Sequence, residues 1–444
     1  MPHTNGGRPD ANGSDATLSD QTGEFTGRYL VVFNDELQSD ARGMNQALQS
    51  GAGLSNVAST LDFEEGALDP EQTESADATV FAALGVAVVS ADLTEAGALS
   101  ALEADPRILA VEPERIQYAI QDVMVSVDYI RGYRDGVLNL YEQLPVSPEQ
   151  ETEAEIAALF ADNASSTWGL QATRASTSTK TGAGVRVAVL DTGFALNHAD
   201  FVGRPVISRS FVTGQAVQDG HGHGTHCVGT SCGPKTPPGG SRRYGVATND
   251  TILVGKVLSN QGSGSDSSIL AGINWAVTNQ ARVISMSLGA NVRQVSQAYE
   301  TAGQRALQAG SLIIAAAGNN ANRAAGNVGF VGMPANSPSI MAVGAVDANL
   351  RIANFSARSN PVGGGKVDIA GPGVAVYSSW LMPTRYHTIS GTSMATPHVA
   401  GVAALISQAT GLRGMALWTR LIQTARPLNI PSVDVGAGLV QAPQ

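Results

Sequence analysis

Three of the chain's seven histidines fall within six residues of the stretch DGHGHGTHC at 219–227: His221, His223 and His226. The spacing H-x-H-x-x-H is one way a chain presents imidazoles to zinc. A single imidazole can instead act as a general base. Two other residues bear on the choice. Asp191 closes the apolar run VRVAVLD and opens a D-T-G turn, and Ser393 lies in SGTSMATPHVAGVAALI. A serine hydroxyl is a weak nucleophile until a base takes its proton, and that base needs a carboxylate to fix its tautomer. Asp191, His223 and Ser393 offer one group for each role, and the chemistry would be acyl transfer. Taken singly, each has a plainer reading: an Asp after a strand is usually structural, and a Ser at a helix start is usually a cap.

These groups can meet only if the chain supplies elements that carry them together. From residue 167 onward apolar runs recur: VRVAVLD at 185–191, TILVGKVL at 251–258, ARVISMSLG at 281–289, SLIIAAAGN at 311–319 and SIMAVGAVD at 339–347. Runs apolar on both faces predict buried parallel strands, and the stretches ILAGINWAVTNQ and QAYETAGQRALQAG predict helices between them. The expected class is α/β, a doubly wound and mostly parallel sheet whose reactive groups collect beyond the strand carboxyl ends. Pro397 is tolerated only within the first turn of a helix, so that helix should begin close to Ser393. The helix dipole and free N–H groups there favour a nucleophile.

Ahead of this half lies a different chain. Residues 1–26 are small and polar, lack the apolar core of a secretory leader, and read as a disordered tail. Residues 27–118 predict a small α+β unit: strands at RYLVVFND, LGVAVVSAD and RILAVEPERIQYA, and a helix over LTEAGALSALEAD with Leu93, Ala96, Leu99 and Leu102 on one face. Residues 119–165 predict a helical linker or insertion, with Tyr129, Tyr133, Val137 and Tyr141 on one helical face and a second, acidic helix at ETEAEIAALFAD. Residues 166–444 form the large domain.

Charge divides the same way. Residues 1–165 carry 29 Asp and Glu against 7 Lys and Arg, net −22, while residues 166–444 carry 9 against 20, net +11. The basic residues are scattered, with no basic helix or finger spacing, which argues against a nucleic-acid partner. Mutual attraction of the two halves is the simpler expectation. No apolar run reaches the roughly 20 residues a membrane span needs, so no membrane partner is expected. Cys227 and Cys232 lie too far apart along a helix for a disulfide and should be free thiols.

DTGFALNHADF at 191–201, HGTHCVGT at 223–230 and GTSMATPHVAG at 391–401 resemble the three active-site signatures of the subtilisin-like serine proteases, peptidase family S8, in their usual order. HGTHC and AAAGNN are most similar to the proteinase K branch. The resemblance implies Asp191, His223 and Ser393 as the triad and Asn319 as side-chain donor of the oxyanion hole. It further implies that KVLSNQGSGS at 256–265, including Gly262, Ser263 and Gly264, and SMSLGA at 285–290, including Ser287, Leu288 and Gly289, clamp an extended peptide. The pocket those residues line with 315–318 carries no charge, which points to apolar or aromatic P1 side chains. The N-terminal unit resembles the ferredoxin-like inhibitor propeptide of the family, so the expected partners are peptide or protein substrates and the chain's own propeptide. The family runs straight from that unit into the enzyme, whereas here about 46 residues intervene before TWGLQATRA.

The zinc reading weakens beside this. HGHGTH differs from the H-x-H-x-D-H of metallo-β-lactamase-like hydrolases by Thr225 in the Asp position, and a hydroxyl is a poor substitute for an anionic ligand. The chemistry then requires no cofactor. A structural calcium is implied at Asp368 with the carbonyls of Pro338 and Ile340, by similarity to the proteinase K branch. A rival of another class is a non-catalytic peptide-binding module on the same fold, but all four catalytic positions carry the residues the chemistry needs.

Overall fold

The computed structural model describes residues 24–38, 40–73, 75–90, 96–120, 160–240, 242–360 and 365–444. The first helix expected between 119 and 165 falls on residues outside that set, as do Leu93 and residues 151–159 of the second; residues 160–162, the expected end of that second helix, are not helical. The N-terminal unit starts two residues earlier than expected, at Phe25. Its strands are β1 (Phe25–Phe33), β2 (Val57–Ser59), β3 (Ala78–Phe81), β4 (Val86–Val89) and β5 (Ile108–Ala119), with helices α1 (Ala41–Ala52) and α2 (Ala96–Ala104). The order β5-β1-β4-β3, antiparallel throughout, is that of a βαββαβ, ferredoxin-like unit, and the short β2 adds a parallel edge strand beside β3.

Alternation along β1 explains why LVVF is apolar throughout. Val31 and Phe33 face the unit's own helices, packing with Met44, Leu48 and Leu102. Leu30 and Val32 face the other way and, with Phe81, Val86 and Val88, join the core of the large domain. The small sheet is therefore covered on both faces, once by its own helices and once by its neighbour.

The large domain is a seven-stranded parallel sheet in the order β14-β13-β12-β10-β6-β8-β7. Its strands are β6 (Arg186–Asp191), β7 (Val206–Ser210), β8 (Thr251–Lys256), β10 (Val283–Met286), β12 (Leu312–Ala316), β13 (Met341–Val346) and β14 (Ile369–Pro372). Successive residues alternate between two cores. Val187, Val189, Ile314 and Val343 pack under α3 (His223–Cys232), α6 (Thr392–Thr410) and α7 (Gly414–Thr424). Ala188, Leu190, Ile313 and Ala342 pack under α4 (Asp266–Thr278) and α5 (Gln297–Gln308). The sequence reading missed β7 and β14: Arg209 and two serines dilute the first, and the second, IAGP, ends in a proline tolerated only because it lies on the sheet edge.

The two units meet through α4 and α5. The Glu112 carboxylate accepts from Gln297 N at 2.6 Å and from Ser296 Oγ at 2.7 Å, capping α5. Glu114 accepts from Ser267 N at 2.8 Å in the first turn of α4. Five apolar side chains on the sheet's outer face, each stabilising by about 1.5–3 kcal/mol when buried, outweigh these caps at about 1 kcal/mol apiece. Hydrophobic burial drives the docking and the carboxylates fix its register. Glu112→Ala should then lower the melting temperature of the full-length chain by only a few degrees, read by circular dichroism; no change would show that the cap contributes nothing to docking.

Candidate active site

Asp191 ends β6 and His223 opens α3, and the two meet with His223 Nδ1 2.8 Å from Asp191 Oδ1. Both are buried. Burial alone would press the imidazole toward its neutral form; the Asp191 carboxylate, helped by Cys227, outweighs it and holds His223 well above the ordinary histidine range. The turn that delivers His223 depends on Gly222, whose φ of 103° suits glycine and where a Cβ would lie 2.5 Å from the Trp380 ring.

Ser393 is the second residue of α6, and the helix starts where the sequence required. Pro397, however, sits beyond the first turn. Lacking an N–H, it leaves the Ser393 carbonyl without its helical donor, and Ser287 Oγ supplies the bond at 2.8 Å. That contact ties the Ser393 backbone to one of the segments expected to hold a peptide. Asn319, just beyond β12, accepts from Thr392 N at 2.9 Å and Thr392 Oγ1 at 2.8 Å through its Oδ1. Its Nδ2 is buried and has no partner among the described residues.

The cleft is filled by the chain itself. Strand β5 lies antiparallel between β9 (Ser263–Ser265) and β11 (Leu288–Gly289), pairing Gln117 with Gly264, Tyr118 with Ser263 and Gly289, and Ala119 with Leu288. Ala119 N donates to Gly262 O at 2.8 Å and Ile120 N to Ser287 O at 3.3 Å. The Ile120 carbonyl then receives the Ser393 hydroxyl at 2.6 Å. A Cβ on Gly391 would stand 3.0 Å from Asn319 Nδ2 and 3.3 Å from Ile120 O, so this glycine lets the amide and the carbonyl share one corner. A Cβ on Gly289 would stand 3.0 Å from Ile120 Cδ1, which places the isoleucine side chain over the floor of the uncharged pocket. With Ser393 Oγ turned to this carbonyl, His223 Nε2 has no partner among the described residues.

All ten residues expected at the triad, oxyanion donor and peptide-holding segments thus gather around one peptide strand. The sequence reading missed three others. Ile120, which it left to the linker, is the residue presented to Ser393. Asp219 is buried and accepts from Thr192 Oγ1, His221 N, Gly222 N, Thr225 N and Thr225 Oγ1 at 2.7–3.0 Å, locking the turn before His223. Lys256, fully buried, donates to Thr192 O at 2.5 Å and so fixes the loop after Asp191. A signal for Asp219 existed: an Asp heading a Gly-rich turn offers its side chain to the backbone ahead of it.

The three histidines do not converge on an ion. His226 Nε2 lies 3.0 Å from Val376 O, and burial holds its imidazole neutral by pushing it down to about 3. Among the described residues the groups close enough to share a metal are Asp191, His223 and Cys227. Of these, His223 already holds Asp191, and burial pushes the Cys227 thiol up, away from a ligating thiolate. Cys227 and Cys232 are free thiols. At the expected calcium position, Asp368 Oδ2 accepts from Ala342 N at 2.9 Å and Oδ1 lies 3.6 Å from the Lys366 ammonium. Burial raises the Asp368 carboxyl to about 6 despite the Ala342 N–H and the nearby, largely exposed Lys366. No helix among the described residues is long and apolar enough to cross a membrane.

Residues 182–438 match the Subtilase family, peptidase S8. Subtilisin DY of Bacillus licheniformis is 41% identical over 261 residues, 58% of this chain and 89% of its own. The thermostable alkaline protease of Halalkalibacterium halodurans is 37% identical over 354 residues, 76% of this chain and 90% of its own, a span longer than residues 166–444. The crystal structure of a cold-adapted subtilisin-like serine proteinase is similar with a TM-score of 0.51 at 36% identity, covering 60% of this chain and 92% of that one. A base works only when neutral. If His223 is the base, held above its usual range by Asp191, kcat/KM for peptide hydrolysis should fall as pH drops, with an apparent pKa above 6.5. A pH profile on a neutral peptide substrate measures it; an acid limb below 6.5 would mean that Asp191 does not govern the imidazole.

Proposed function

The chain belongs to the Subtilase family and is a subtilisin-like serine protease, and from that premise we propose that it is an endopeptidase acting through Asp191, His223, Ser393 and Asn319, made as a zymogen whose N-terminal unit sends residues 117–120 into the cleft. The observation that carries the reading is the antiparallel insertion of β5 between β9 and β11, which brings the Ile120 carbonyl to Ser393 Oγ. Residues 262–264 and 287–289 hold a substrate in the same way, by backbone hydrogen bonds that any sequence can make. Specificity then falls to the side chain at the Ile120 position, whose pocket is uncharged, so apolar or aromatic residues are preferred there.

The chemistry follows from the groups in place. His223 Nε2 takes the Ser393 proton as Oγ attacks the carbonyl carbon, and the imidazolium is stabilised by Asp191 against Nδ1. Negative charge collects on the carbonyl oxygen, beside Asn319 Nδ2 and the amide at the start of α6. His223 next hands its proton to the leaving amine, and water repeats the sequence on the acyl-enzyme. No metal enters these steps; a structural calcium at Asp368, with the Pro338 and Ile340 carbonyls, would have to displace the Lys366 ammonium.

Ser393→Ala should fold normally, remain full length, and fail both to hydrolyse peptides and to react with a fluorophosphonate. A variant that still cleaves peptides would remove the serine mechanism. Asn319→Ala should lower kcat by about two to three orders of magnitude with little change in KM, a magnitude that comes from the corresponding residue of subtilisin. A loss under tenfold would take Asn319 out of the oxyanion hole.

A further inference from the structure

The side chains of the strand between β9 and β11 meet the large domain unevenly. Ala119 and Ile120 are half-buried, and Tyr118 is 40% exposed. Gln117 differs from all three: it is fully buried, and it is polar. Its Nε2 donates at 2.7 Å to Oδ1 of Asp266, the first residue of α4, which is buried as well. Tyr299 of α5 donates its hydroxyl to the same oxygen at 2.8 Å, and Arg115 N donates to Oδ2 at 2.8 Å. Burial raises the Asp266 carboxyl to about 6, so at alkaline pH it is an anion. Gln117 Oε1 has no partner among the described residues, so the pocket answers only the donor end of the amide.

We infer that Asp266 determines specificity at a second position: the pocket that receives the side chain three residues before the one at Ser393 selects a hydrogen-bond donor, an amide or a cation, over apolar and acidic side chains. This rests on the protease reading above. Of the three donors on Asp266, only Tyr299 belongs to the large domain, and the other two arrive with the strand. Arg115 N is a backbone group that nearly any peptide supplies. The bond from Gln117 depends on its side chain, so at this carboxylate it alone carries sequence information. An aliphatic side chain in that place would cover the carboxylate, expel the water that solvates it and leave a buried acceptor unpaired, which is the costly case. A glutamate would set a second carboxylate against the first, and like charges in a site with little water repel strongly.

The test takes the protein incubated until it hydrolyses peptides, and a set of otherwise identical peptides. Each carries Ile at the position that meets Ser393 and Gln, Lys, Leu or Glu three residues before it. At alkaline pH kcat/KM should be highest for Gln and Lys, about tenfold lower for Leu, and lower again for Glu. In Asp266→Asn the preference for Gln over Glu should collapse toward equality, because a neutral amide donates to Glu as readily as it accepts from Gln. The same exchange can be read without catalysis. In the full-length Ser393→Ala chain, Gln117→Glu should lower the melting temperature by several degrees, and adding Asp266→Asn should recover most of the loss. Equal kcat/KM across the four peptides, or a preference for Gln over Glu that survives Asp266→Asn, overturns the inference; hydrolysis and fluorophosphonate labelling at Ser393 then persist, and the protease reading stands. Loss of both hydrolysis and labelling in the unaltered protein would overturn the protease reading and the inference with it.

Discussion

The hydrogen bond between Asp191 and His223 sets the requirement that the rest of the large domain meets. Both groups are buried, and an ionised carboxylate in such a place is costly unless donors surround it. One of its oxygens takes the imidazole and Thr192 N. Beside it, Asp219 gathers five donors from the turn that carries His223, and Lys256 clamps the carbonyl of Thr192. A parallel sheet is well suited to this arrangement, since β6 ends where α3 begins and the groups come from different crossovers. Two residues 32 positions apart can be fixed at 2.8 Å because the core beneath them, Val187 and Val189 on one face and Ala188 and Leu190 on the other, leaves β6 no room to shift.

The cleft in front of that pair is finished by elements with little chemistry of their own. β9 and β11 are short, rich in glycine and serine, and present edge hydrogen-bonding groups to β5. Edges of that kind invite another strand, and here the chain itself supplies it. The proline at 397 belongs to the same design: by freeing the Ser393 carbonyl for Ser287 it fastens the start of α6 to the segment beside β11. The segment that pairs with β5 and the start of α6 therefore share a hydrogen bond.

Much of this was legible in the sequence, and the divide is physical. Strands buried on both faces announce themselves as apolar runs, and Asp191, His223 and Ser393 sit in short local patterns of glycine, histidine and serine that turns demand. The missed pieces depend on distant partners. Nothing near residue 120 marks it as the one that reaches Ser393, because its register is set by segments some 145 and 170 residues further on. The sequence reading ended the N-terminal unit at 118 although its last strand ran to Ala119, where β5 ends; the last residues of that strand are placed by pairing with the backbone of β9 and β11 rather than by burying side chains. β7 and β14 were lost for the opposite reason, as edge strands whose composition carries too little apolar signal.

The charge asymmetry is also real in the sequence but is answered differently from a simple attraction between opposite net charges. Ion pairs that cross between the acidic and the basic half include Asp69 with Arg209 and Asp35 with Arg305, each at 3.8 Å, and Asp162 with Arg242 at 3.0 Å, each partly or largely exposed on the acidic side. Pairs of that kind contribute little. The acidic groups that matter, Glu112 and Glu114, lie on the first turns of α5 and α4, where unpaired N–H groups and the helix dipole provide the positive end. Burial raises Asp266 to about 6, and the bonds it accepts from Arg115 N and Gln117 of β5, with Tyr299, act in the opposite sense. The acidic unit is therefore matched to backbone dipoles whose positions the fold dictates, and net charge describes the approach of the two surfaces better than it describes what holds them.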